Sequence, residues 1–243
     1  MNPDTQSFLY LIRSFIAGIT LIRQPGLRRF VIIPLLINTA LFSLAAWLLW
    51  SYLSTALDAL LPSWLAWLAW LVLPLFLLSI LSIVFYSFTL LANIIAAPFY
   101  GQLAQAVEAH LKGGPIAEAT SWSFFKDAPK MLASEVRRLS YYLLRAVPLL
   151  LLTLIPGVNM ISLPLWLMFS AWFLSFEYSA YGLDNHHVLF QQQKQILNRT
   201  KLSTMSFGGI SLLATTIPVV NLFAPAIAVA AATKILFERG ELG

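Results

Sequence analysis

Residues 154–164 read LIPGVNMISLP, and residues 216–225 read TIPVVNLFAP. Ile155, Pro156, Val158 and Asn159 of the first recur as Ile217, Pro218, Val220 and Asn221 of the second, 62 residues further on. Each motif interrupts a stretch free of Asp, Glu, Lys and Arg, 146–176 in one case and 202–233 in the other. Proline removes a backbone donor and clashes with the preceding turn, so an apolar helix is expected to stop and reverse at each motif. The limb from 146 to 155 would rise only about 15 Å as a helix, half of a hydrocarbon core of about 30 Å. Both stretches are therefore read as re-entrant helical hairpins, partly penetrating the bilayer, with tip backbone that must face protein or water.

Working outward, two further uncharged stretches cover 30–57 and 59–107. The first has Pro34 near its start and Trp47, Trp50 and Tyr52 near its end, where aromatic rings favour the membrane interface. The second opens with Trp64, Trp67 and Trp70 and carries Pro74. As a helix, 64–97 would reach roughly 50 Å, so it tilts or projects beyond the bilayer. Pro62 and the short connection at Asp58 separate these two long transmembrane helices.

Composition agrees: 59% of the 243 residues are hydrophobic and 10% charged, against roughly a quarter charged in soluble domains. With no cysteine, disulfide frameworks and thiolate metal sites are excluded. The net charge of +5 is carried between apolar runs, which points to anionic lipid head groups or a small anion, not to nucleic acid. If 30–57 and 59–107 cross and both hairpins return to the side they entered from, all 15 Lys and Arg share one compartment. The positive-inside rule makes it the cytoplasm, with both termini there. Asp4 precedes the first basic residue, Arg13, so no removable signal peptide is expected.

The expected organisation is a single all-α membrane domain over 1–243. An interfacial N-terminal helix and turn (1–29) precede the two long helices (30–107). A cytoplasmic amphipathic segment (108–145) is broken early by Gly113, Gly114 and Pro115 and restarts near Asp127 and Pro129. The first hairpin (146–176), a cytoplasmic connector (177–201) and the second hairpin with the C-terminus (202–243) follow. The basic face of Arg137, Arg138 and Arg145 is read as binding anionic lipid at the cytoplasmic surface.

The segment IRQPGLRRFVIIPLLIN, 22–38, is the most informative candidate site. Pro25 and Gly26 suit a tight turn ahead of a transmembrane helix, whose N-terminal amides point back toward it. Those amides, with the guanidinium groups of Arg28 and Arg29, favour an oxyanion such as a tetrahedral dianion. Arg28 and Arg29 equally suit a lipid head-group anchor. Asn159 and Asn221 at the tips are candidates for a pore or gate, or for caps of their own turns. Asn38 and Asn93 in the long helices suit interhelical hydrogen bonds as well as a pore, and Glu108 suits a gate or a pair with Lys112, four residues on.

Asp184, His186 and His187 do not make a ligand set for a metal, since adjacent histidines do not face each other on a helix. No P-loop and no Gly-x-Ser-x-Gly signature is present, so no enzyme activity and no cofactor are expected. The uncharged stretches hold no carboxylate for a proton relay.

With these motifs placed, the chain resembles the CysZ family of bacterial sulfate permeases over nearly its whole length. The resemblance rests on PGLRRFVIIPLLIN at 25–38, NIIAAPFYGQLAQAVE at 93–108 and the two Pro-x-Val-Asn hairpins. It implies two long transmembrane helices with two partly penetrating helix pairs, sulfate uptake across the inner membrane for cysteine synthesis, and homo-oligomers. It also implies that Gly26, Leu27 and Arg28, with Arg29 adjacent, bind sulfate. The alternative is a non-transporting scaffold that binds anionic lipids or partner proteins through its basic cytoplasmic face.

Overall fold

The computed structural model describes residues 7–60, 69–115, 121–188 and 190–242, which leaves Pro62, Trp64 and Trp67 outside the description. The described residues are helical throughout: α1 Phe8–Arg23, α2 Arg29–Leu60, α3 Ala69–Leu111, α4 Ser121–Thr153, α5 Asn159–Asn185, α6 Phe190–Arg199, α7 Lys201–Thr216, α8 Pro218–Asn221 and α9 Ala224–Glu238. Among the described residues, two stretches are long and apolar enough to cross a membrane, Arg29–Leu48 in α2 and Asn159–Asn185, the whole of α5.

The chain forms two compact units, one of Met1–Ile32 with Ala97–Gly243 and the other of Ile33–Ala96. The second holds most of α2 and α3, and it exposes large apolar side chains such as Leu36, Trp47, Leu75 and Leu78. An apolar surface of that extent belongs against lipid or another protein. Within this unit Pro34 sits inside α2, close enough to the helix start that few ladder bonds are lost.

The first unit is built around α9. Its run AIAVAAAT, 226–233, is buried on every side, as expected of a helix that is apolar all round. Small residues let its neighbours approach closely. A Cβ added to Gly18 of α1 would lie 2.5 Å from the Ile227 carbonyl oxygen of α9. The closest approach is between α7 and α5, where a Cβ on Gly208 would lie 1.6 Å from the Ala171 carbonyl oxygen. The pairings of α5 with α7 and of α1 with α9 are the most extensive among the described residues.

Both proline motifs end helices where the sequence reading places them. Helix α4 stops at Thr153 and α5 starts at Asn159, while α7 stops at Thr216 ahead of the short α8. An aromatic seam closes the α4–α5 pair: Tyr142 stacks on Phe169 at 5.1 Å and meets Phe173 at 4.0 Å. The Trp166 indole N–H donates to Thr153 Oγ1 at 3.1 Å across the tip.

Other boundaries differ from the sequence reading. Helix α4 starts at Ser121, not near Asp127, with Pro129 inside it. Pro129 is exposed, so the helix loses one ladder bond there and continues. It also runs unbroken through Arg145 and Ala146, so the first limb of the hairpin is the end of a 33-residue helix. The segment read as a connector, 177–201, holds the last turns of α5 and all of α6. Helix α3 ends as expected, with Gly113 N–H bonded to the His110 carbonyl and Gly114 N–H to that of Ala109, the paired bonds of a Schellman cap.

Candidate functional site

The turn between α1 and α2 is set by Pro25 and Gly26. Gly26 has φ 91°, a value side chains rarely tolerate and glycine adopts freely. The amides of Leu27 and Arg28 both donate to the Gln24 carbonyl, at 3.1 and 3.2 Å, and close the turn. Those two N–H groups therefore face inward, whereas the sequence reading aims the turn's amides at an anion. The Leu27 side chain is 0% exposed and anchors the turn in the core beside Phe30 and Val31. Arg28 is exposed, and Arg29 is half-buried with its guanidinium 4.8 Å from the Phe30 ring centroid.

Beside this turn lies a cavity of about 430 Å³. Ile19, Ile22 and Arg23 of α1 line one side, and Arg28, Val31 and Ile32 another. The tip of the second hairpin completes it with Val219, Val220, Phe223 and Ile227. Arg28 of the expected set thus stands at this cavity together with Arg23, which sequence reading missed. The signal available was its placement: Arg23 and Arg28 flank a Pro-Gly turn, and a turn that tight brings its flanks back toward one another. Two guanidinium groups beside apolar walls attract an oxyanion strongly, because each presents charged donors in a fork that fits tetrahedral oxygens.

Of the five pore or gate candidates, Glu108, Asn159 and Asn221 belong to the first unit and Asn38 and Asn93 to the second. Asn221 is exposed and directly follows the cavity-lining Val220, while Asn159 is exposed on the other hairpin. The N-cap positions of α5 and α8 are held by Val158 and Ile217, so neither asparagine occupies the capping position of its own helix. Asn38 lies within the second unit, its Oδ1 buried without a hydrogen-bond partner among the described residues. The side chain of Asn93 lies outside the described residues.

Glu108 is buried and doubly paired, at 2.6 Å from Lys112 Nζ and 2.7 Å from His186 Nε2. Burial pushes its carboxyl pKa up, but the Lys112 and His186 contacts outweigh that and hold it below the ordinary 4.5.

A polar network extends from this point across the ends of α3, α5 and α6. Asn185 Nδ2 donates to the Gly101 carbonyl at 2.9 Å, and Gln193 Nε2 donates to Asp184 Oδ1 at 2.6 Å. Arg138 of α4 reaches Asp184 Oδ2 at 2.9 Å and lies 4.7 Å from the Tyr181 ring centroid. With 1% exposure, Arg138 is inside the protein and not on the lipid-binding face assigned to it from sequence. The physical reason is the carboxylate 46 positions away, which makes burial of the guanidinium tolerable.

A family model described as sulfate transporter CysZ/etoposide-induced protein 2.4 matches residues 14–225. The chain is 44% identical over 232 residues to the sulfate transporter CysZ of Pectobacterium atrosepticum, covering 94% of this chain and 84% of that protein. It is 42% identical over 228 residues to the sulfate transporter CysZ of Pseudomonas fluorescens, covering 92% and 91%.

Proposed function

The chain belongs to the family of the sulfate transporter CysZ, and from that premise we propose that it carries sulfate across the bacterial inner membrane into the cytoplasm, supplying sulfur for cysteine synthesis. Sulfate is held at the α1–α2 turn by the Arg28 guanidinium with Arg23, while Gly26 gives the turn its shape and Arg29 adds positive charge beside it. The observation that carries this is the pair of arginines at one cavity, both outside the apolar spans. Transport here needs positioning and charge alone, with no catalytic group.

In the topology we propose, α2 and α3 cross the bilayer and both hairpins enter it from the cytoplasmic side and return. Support for partial depth comes from where α4 and α5 expose apolar side chains, from Val147 to Ile155 and from Met160 to Met168. Each limb of that zone rises about 12 Å, short of a full crossing. Toward the other ends of the two helices lies the Arg138–Asp184 pair. The second hairpin exposes Leu213, Ile217, Val219 and Leu222 at its tip. Such tips suit lipid or a second copy of the chain, which is the basis for proposing a homo-oligomer. The part of α4 ahead of this zone lies at the cytoplasmic surface, where Arg137 and Arg145, both exposed, meet anionic head groups.

The test is uptake of radiolabelled sulfate into proteoliposomes by wild type and Arg28→Ala. Uptake by wild type well above empty vesicles, with the variant reduced at equal protein content, is expected. Wild-type uptake equal to that of empty vesicles would sink the transport reading and leave the scaffold.

A further inference from the structure

The cavity beside Arg23 and Arg28 is far larger and more apolar than sulfate requires. An engineered cavity of roughly 150 Å³ already holds benzene, whereas this one measures about 430 Å³, in the roughly 300–1,000 Å³ range of pockets for drug-sized ligands. Away from the two arginines its walls are aliphatic or aromatic: Ile19, Ile22, Val31, Val220, Phe223 and Ile227. A bare dianion gains nothing from such walls, and moving it among them loses hydration. The lining has the chemistry of an amphiphile site, two cations among walls that are otherwise hydrocarbon.

We infer that this cavity holds an acyl chain of an anionic phospholipid whose phosphate sits on Arg23 and Arg28, where it competes with sulfate. The competition rests on the reading of Arg28 as the oxyanion site; the lipid site itself does not. Phosphate diester and sulfate present the same oxyanion chemistry to guanidinium groups, and only the tail separates them. Methylene groups are favoured against the aliphatic walls, so the tail confers the selectivity. Anionic head groups are attracted to basic residues such as these. Sulfate reaching the turn therefore displaces a head group, and the anionic lipid content of the membrane sets how readily the site loads.

The experiment compares retention of phosphatidylglycerol and of phosphatidylcholine with matched chains on purified full-length protein, by native mass spectrometry, alongside binding of radiolabelled inorganic sulfate. Variants Val220→Trp and Val219→Trp narrow the slot from the hairpin side and leave α1 and α2 unchanged. Wild type is expected to retain phosphatidylglycerol about tenfold better than phosphatidylcholine and to release it as inorganic sulfate is added. Both tryptophan variants should lose that preference while binding sulfate within about twofold of wild type, and Arg23→Ala with Arg28→Ala should lose both ligands.

Equal retention of the two lipids, or tryptophan variants that hold phosphatidylglycerol as wild type does, overturns the inference. Should neither variant be monodisperse, wild type alone decides by comparing octyl sulfate with inorganic sulfate. Tighter binding of the octyl ester supports the slot, and equal binding overturns it. Phosphatidylglycerol bound without any sulfate binding would retain the lipid site and remove the oxyanion reading. Sulfate bound without lipid preference would do the reverse.

Discussion

Arg138 Nη1 lies 2.9 Å from Asp184 Oδ2, joining α4 to α5 through a guanidinium that is 1% exposed. Removing one partner leaves the other charge stranded in a poorly solvated place, which costs about 3–5 kcal/mol in comparable buried pairs. Arg138→Ala and Asp184→Ala should each lower the thermal unfolding midpoint strongly. Replacing both with apolar residues of similar volume should recover most of the loss, as followed by fluorescence-monitored melting in one detergent. Single variants that melt like wild type would show that the pair is not sealed from water.

Helices α5 and α7 touch backbone to backbone at Gly208. Since a Cβ there would lie 1.6 Å from the Ala171 carbonyl oxygen, Gly208→Ala forces the helices apart and should cost about 1–3 kcal/mol or more. The neighbouring Gly209 has no such obstacle within 4 Å. Gly209→Ala should instead be neutral or stabilising by up to about 1 kcal/mol, because alanine is the better helix former. The contrast between adjacent glycines, read from melting midpoints, checks the α5–α7 packing without reference to function.

At the cavity, Arg23→Ala should weaken sulfate binding by roughly 10-fold to 100-fold, the range for losing a charged hydrogen bond of about 1.5–3 kcal/mol. Arg199→Ala, an exposed position at the end of α6, serves as the control for net charge and should leave binding unchanged. Equilibrium dialysis with radiolabelled sulfate measures both. Equal loss in the two variants would indicate a diffuse electrostatic effect instead of a site.

The Glu108 carboxyl titrates below its ordinary value of 4.5 because Lys112 and His186 together outweigh its burial. Its folded pKa is depressed, so its contribution to stability is complete above the ordinary value and is lost as pH falls through the folded one. Glu108→Gln should be less stable than wild type at pH 7, and the gap should narrow as pH falls below 4.5. A gap that stays constant from neutral pH to acid would contradict the pairing.

Local chemistry was readable from the sequence wherever it acts over a few residues. Pro156 and Pro218 marked real helix ends, and Glu108 was paired with Lys112 from their spacing alone. Contacts between residues far apart in the chain were not readable. Arg138 looked like one more basic residue on a surface helix, because nothing near it hints at Asp184, 46 positions away. Asp184 and His186 sit two apart in sequence yet serve different partners, Arg138 and Glu108. Likewise the role of Arg23 depends on the hairpin tip at Val219 and Val220, nearly two hundred residues distant. Periodicity could not place the start of α4 either, since Pro129 reads as a boundary and is carried inside the helix.

The contact of Gly18 with the Ile227 carbonyl makes the stiffness of the cavity walls unequal. Gly18 is adjacent to Ile19, and Ile19, Ile22 and Ile227 all line the cavity. The α1 and α9 walls are thus locked within a turn of the site itself, and neither can slide without breaking a close-packed core. Besides Val31 and Ile32 of α2, the other wall is α8, four residues long with exposed Val219 and a local bond from Asn221 N–H to the Ile217 carbonyl. Compliance at this site is therefore concentrated in one short turn, so the chamber can yield there without the close-packed helices beside it softening.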